Sequence, residues 1–318
     1  MDNNRYHLYF LFLLVFLVVA GQIASPTVAM GQTKIVIPKI EKKTSNKKTP
    51  KSGKATSSRK KENKTRNGMS DNHREAILQN LINNMVQVKG GSFTMGATPE
   101  QESEAGGDEK PAHKVIVPSF SIGKYEVTQE EWFAVMGTNP SHFKGDKRPV
   151  EQISWNDCQQ FIDRLNKLTG KQFRLPTEAE WEFAARGGTI CGNCKFAGGN
   201  IADDVAWYND NSNGETHEVG KKRANELGLY DMAGNVWEWC NDQKFNYSSS
   251  TSEQLPEETS LSQNNNTIDL TDNPQGSNKN RVNRGGSWRS SAKLCRVSFR
   301  FDDDADERFN TLGLRLAL

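Results

Sequence analysis

The chain has 318 residues, 35% of them hydrophobic, with 26 glycines, seven tryptophans and five cysteines. That length admits one large core or two small ones, and a mean hydropathy of −0.75 leaves much of the chain outside it. The formal charge of +2 conceals an asymmetry: between Lys34 and Arg66 thirteen Lys and Arg oppose only Glu41 and Glu62, and the remainder is mildly acidic.

Arg5 precedes an apolar run, Leu8 to Ala20, followed by small residues at Ala24 and Ala29. The run is short for a membrane span of about 20 residues, so residues 1–32 read as a signal peptide or an N-terminal anchor. The expected destination is exported: periplasmic, cell-envelope or secreted. Residues 33–70, rich in Lys, Ser, Thr and Asn, cannot bury enough apolar surface to offset ordering and read as a basic disordered linker. Such a linker can contact anionic surfaces. It has no interleaved aromatics to stack on bases, so no specific nucleic-acid partner is expected. A short helix is predicted over residues 71–84, with Ile77, Leu78, Leu81 and Ile82 on one stripe, before a domain at 85–318.

In that domain "MVQVKGGSFTMG" alternates around Gly90-Gly91 and predicts a hairpin. Three capping boxes follow, at Thr128/Glu131, Ser154/Asp157 and Thr177/Glu180. They predict helices burying Trp132 and Val135, then Cys158, Phe161, Ile162 and Leu165, then Trp181 and Ala184, with Gly170 and Gly187 stopping the last two. Beyond Gly187 only short strands are predicted, at "HEVG", "RVNRGG" and "LGLRLAL", among turn-rich loops. The fold class is α+β with little regular secondary structure. Residues 243–280 form a low-complexity insertion, read as a surface loop near the rim of any site built by its flanking motifs.

The order of "GGSFTMG", "YEVTQEEW", "PVEQISWNDC", "FRLPTEAEWEFAARGG", "GLYDMAGNVWEW", "RVNRGGSW" and "LGLRL" resembles the formylglycine-generating enzyme (sulfatase-modifying factor) family from about Met85 onward. The resemblance implies a C-type-lectin-like α+β fold. It also implies a groove in which a cysteine of a Cys-x-Pro-x-Arg segment is oxidised to formylglycine, using O2 and copper(I) held by two thiolates. Those cysteines lie third and eighth after the serine of "GGS". Here that serine is Ser287, the third position is Ser290 and the eighth is Cys295. A hydroxyl is a hard, weakly acidic group and does not replace thiolate on copper(I), so one ligand is missing. Thr311 also stands where the family has a groove asparagine, whereas Ser287 and Trp237 match groove positions.

The resemblance implies structural calcium on the side chains of Asp231 and Glu238 and the carbonyls of Gly234 and Val236, hard oxygens of the kind calcium prefers. A second calcium maps loosely onto Asn200 and Ile201. Among the cysteines, Cys158 reads as a core thiol and Cys191 and Cys194 of "CGNC" as a local disulfide. Cys240 and Cys295 each follow a groove motif and are expected to pair. The histidines show no metal spacing, and no phosphate-binding glycine loop is present. The expected function is a non-oxidase binding or scaffold protein taking a peptide, protein or glycan in the groove, in an envelope assembly for example. The alternative is a copper-dependent oxidase.

Overall fold

A computed structural model describes residues 69–190, 194–247 and 279–318. The expected signal or anchor, nearly all of the linker and most of the 243–280 insertion lie outside the described residues. Helix α1 (Asp71–Asn83) starts on Ser70, whose hydroxyl accepts the His73 amide at 3.3 Å, and buries the expected stripe of Ile77, Leu78 and Leu81.

Strands β1 (Met85–Val88) and β2 (Gly91–Met95) do not form the expected hairpin. β1 pairs antiparallel with β4 (Phe120–Gly123), and β2 pairs with β3 (His113–Val117). Gly90 is where the chain crosses between the two ribbons. Its amide donates to Ser119 Oγ at 3.0 Å, and a Cβ there would lie 2.4 Å from the Val117 carbonyl oxygen. A glycine pair that reads as a turn therefore serves as a close backbone crossing.

All three capping boxes form. They open α2 (Gln129–Met136), α3 (Trp155–Thr169) and α4 (Glu178–Ala185), each with reciprocal side chain and amide bonds. Such a cap is worth about 1 kcal/mol. Gly170 takes the left-handed conformation that closes α3, and Gly187 does so one residue after the Arg186 cap of α4. A last short helix, α5, spans Ala202–Val205.

Strands β5 (Trp237–Gln243), β6 (Asn280–Arg284), β7 (Arg300–Asp304) and β8 (Leu312–Leu314) form one sheet in the order β7-β6-β5-β8, with β5 and β8 parallel. The expected strand at "HEVG" is instead loop: its polar groups bond to other loops, His217 N to Asn235 Oδ1 at 2.9 Å and Gly220 N to Asp231 Oδ2 at 2.7 Å. Of "LGLRLAL" only Leu312–Leu314 is strand. The α3 face of the sheet buries Trp239, Leu312 and Leu314 with Phe161, Ile162 and Leu165. The α4 face buries Cys240 and Val282 with Trp181, Phe183 and Ala184. Among the described residues no helix is long and apolar enough to cross a membrane.

The α4 side also buries charge. Glu182 takes Arg284 of β6 and, at 2.9 Å, Arg186 Nε, while Glu178 takes Arg300 of β7 at 2.5 Å. Arg315, after β8, holds Glu238 of β5 at 2.6 Å, and Arg296 holds Glu109 at 2.7 Å. Burial opposes the Arg284 charge, yet Glu182 and Glu178 hold it firmly protonated. Removing one partner of such a pair strands the other. Glu182→Gln should cost about 3–5 kcal/mol in urea unfolding. Arg174→Ala, which breaks the half-exposed pair with Glu180, should cost no more than about 1 kcal/mol.

Candidate groove around the Ser287 turn

The segment after β6 passes through Gly285 and Gly286, both with positive φ, into Ser287 and Trp288. A Cβ on Gly286 would lie 2.5 Å from Cys295 Sγ, so only glycine lets the turn run over that sulfur. Ser287 and Ser290 meet directly: the Ser287 amide donates to Ser290 Oγ at 3.0 Å, and the two hydroxyls are 3.1 Å apart. Both are buried. The Trp288 amide donates to the Asn235 carbonyl at 2.7 Å, and the indole Nε1 to the Asn310 carbonyl at 2.9 Å. One residue on, the Thr311 carbonyl accepts the Trp237 amide at 2.7 Å. The turn from Phe309 to Thr311 thus ties both groove tryptophans together, and Ser287, Ser290, Trp237 and Thr311 fall in one region.

Cys295 ends a 3₁₀ turn (Ala292–Cys295) and is fully buried beside Phe196, Val205, Ala206, Tyr208 and Ala233. Burial pushes its thiol up to about 12, although the nearby Ser287 and Gly234 amides favour the thiolate. An enclosed, protonated thiol with serine at the second ligand position does not suit copper(I), which takes thiolate sulfur. The residues present do not fit that ion.

Cys240 and Cys295 are both free thiols, which corrects the expected disulfide. Cys240 lies in the core under α4 and Cys295 in the cluster around Val205 and Tyr208, so the two belong to different packed cores. Cys158 is a buried free thiol, as expected. Cys194 is disulfide-bonded, and Cys191, its expected partner, lies outside the described residues.

The two side chains expected to hold calcium are engaged with protein. Glu238 receives Arg315 on both oxygens and Trp181 Nε1 at 2.7 Å, and Asp231 accepts the Gly220 amide. Gly234 donates to the Gly285 carbonyl, and the Val236 amide to Glu126 at 3.0 Å. Glu126, which sequence reading missed, is buried, and Asn235 Nδ2 donates to it at 2.6 Å. Its carboxyl is held well above the usual range by burial and then by Asp231 and Glu238; burial lifts Asp231 to about 6. Three buried carboxylates face one guanidinium, a charge balance that suits a cation. Among the described residues no three His, Cys, Asp or Glu gather to hold a metal by side chains alone, and the expected set has two carboxylates and two carbonyls. Asn200 and Ile201 serve local structure, Asn200 accepting the Lys195 amide and Ile201 standing at the start of α5.

Two sets of rings surround the tryptophans tied to the Phe309–Thr311 turn. Phe143 meets Trp288 edge-on at 5.3 Å, with His142 against Phe143 at 4.7 Å. Trp237 lies 5.9 Å from Phe299 and 6.0 Å from Phe301. Of these, sequence reading placed only Trp237 in the groove. The i, i+2 spacing of Phe299 and Phe301 around inward-facing Arg300 was the available signal.

Residues 72–318 match the sulfatase-modifying factor enzyme 1-like domain. The chain belongs to that family. It is 31% identical to the chaperone protein LppX of Paenibacillus barcinonensis, over 74% of this chain and 89% of that protein. It is 27% identical to the formylglycine-generating enzyme of Mus musculus, over 74% of this chain and 75% of the enzyme. Among solved structures, the Treponema denticola variable protein 1 is 35% identical with a TM-score of 0.59, over 73% of this chain and 94% of that one. The α+β fold expected from the motif order is therefore the fold of the sulfatase-modifying factor family.

Proposed function

We propose that this protein is an exported, non-oxidase member of the family that binds a peptide or protein segment in the groove around Ser287, Trp237 and Thr311. The observation that carries the reading is the state of the copper-ligand positions. Ser290 is hydrogen-bonded to Ser287, and Cys295 is a buried thiol raised to about 12. A soft-metal thiolate site needs two exposed or easily ionised sulfurs, and this groove has neither. A protein occupant, rather than a glycan, is favoured by the name of the 31%-identical relative, a chaperone protein. Export rests on the apolar run at Leu8–Ala20.

The test is mass spectrometry of a Cys-x-Pro-x-Arg peptide incubated with the full-length protein, copper(I) and O2, beside Ser290→Cys. No product from the natural protein supports the binding reading. Formylglycine from it restores the oxidase reading, with a ligand set this groove does not display.

Calcium at Asp231, Gly234, Val236 and Glu238 is a second part of the proposal, supported by the excess of buried carboxylate beside Arg315. A melting temperature raised by calcium and not by magnesium would support it. Identical melts in calcium and in a chelator would remove it.

A further inference from the structure

A cleft of about 540 Å³, none of whose lining belongs to the Ser287 turn, opens between the start of α1 and α2. Its apolar part is Phe133, half-buried, and its polar walls are His73 of α1, Glu130 of α2, Asn139 and Asp146. The two lysines nearest in sequence are committed: Lys147 pairs with Glu130, and Lys144 Nζ donates to the Asn139 carbonyl at 3.0 Å. Asp146 is exposed, and among the described residues its carboxylate has neither hydrogen bond nor ion pair. Asp71 and Glu75, on either side of His73 in the chain, add two exposed carboxylates. The cleft therefore keeps an unmatched carboxylate beside an aromatic surface.

The described chain opens at Met69, itself part of the cleft wall, directly after Asn67-Gly68. Asn-Gly is a strong turn dipeptide, so the chain before it is placed to reverse. What comes before it is "RKKENKTR", Arg59 to Arg66, five cations against Glu62. Reach does not limit it: three residues separate Met69 from Arg66 and eight separate it from Lys61, spans of up to about 10 and about 28 Å. We propose that Arg59–Arg66 folds back through Asn67-Gly68 and seats in this cleft, one Lys or Arg laying its stem on Phe133 with its charge at Asp146. The contact is intramolecular, so exposed pairs that are weak singly suffice to populate it.

The seated segment acts on the loop it touches. Gln129 ties the 139–146 loop to α2, its Nε2 donating to the Phe143 carbonyl at 2.6 Å and its Oε1 accepting from Asn139 Nδ2 at 2.8 Å. That loop carries Phe143 against Trp288. A seated linker braces it, and an anionic surface that draws the linker away releases it. The inference is independent of what the groove binds.

The test is amide hydrogen exchange of residues 139–146 in the full-length protein, in neutral detergent, beside two variants. One is Lys60→Gln/Lys61→Gln/Lys64→Gln/Arg66→Gln; the other is Asp146→Asn, which removes no bond among the described residues. Exchange should be roughly fivefold slower in the natural protein than in either variant, the share of one exposed ion pair. The gap should close in about 1 M salt, where screening acts within about 3 Å. Carbodiimide coupling of the natural protein should join Lys60, Lys61 or Lys64 to Asp146 or Glu130 within one molecule. Equal exchange in the three proteins, or couplings spread evenly over exposed acids such as Glu226 and Glu307, overturns the inference. Couplings to Asp146 between two molecules overturn it as well, because the cleft then takes a second copy's linker.

Discussion

Two glutamates on the inward side of α4 organise the C-terminal half of the molecule. Glu182 and Glu178, four residues apart, stand on one helix face. They receive Arg284 and Arg300 from adjacent strands of the sheet, and all four side chains are almost wholly buried. Each charge is tolerated in the interior only because its partner is there, so the helix can dock in one register against β6 and β7. Arg284 precedes the Gly285–Gly286 turn directly, and Arg300 directly precedes Phe301. The ion pairs that fix the sheet to α4 therefore also fix both ends of the groove segment.

The same packing decides the chemistry available there. With the glycine turn held over Cys295, the sulfur is shut into a cluster of Phe196, Val205 and Tyr208 and remains a thiol. Ser290, instead of offering a second sulfur, closes a short hydroxyl pair with Ser287. Arg315 and Glu238 repeat the buried-pair logic on β5, where they anchor the "GNVWEW" segment beneath Trp237.

Local rules made the helices legible: Thr128/Glu131, Ser154/Asp157 and Thr177/Glu180 each satisfy their own amides, so three nearby residues carry the signal. The pairing of β1 with β4 depends on a chain crossing 30 residues away, and nothing near Gly90 distinguishes a crossing glycine from a turn glycine. The buried arginines were illegible for a related reason. Arg284, Arg296, Arg300 and Arg315 look like surface residues until the fold supplies Glu182, Glu109, Glu178 and Glu238, all more than 70 positions away. The motif order singled out Ser287, Ser290, Trp237 and Thr311, and the bonds that join their segments run through the Phe309–Thr311 turn. The expected Cys240–Cys295 bond failed because proximity to a motif in sequence says nothing about which of two cores a side chain enters.

The account turns on Cys295 being a packed thiol and not a poised ligand, and thiol labelling of the native protein with an aromatic disulfide reagent at neutral pH tests that most directly. Cys158, Cys240 and Cys295 are all buried free thiols, so none should react until denaturant is added, when all three should. One thiol that labels promptly in the native state, and disappears in Cys295→Ser, would contradict the account and return the groove to sulfur chemistry.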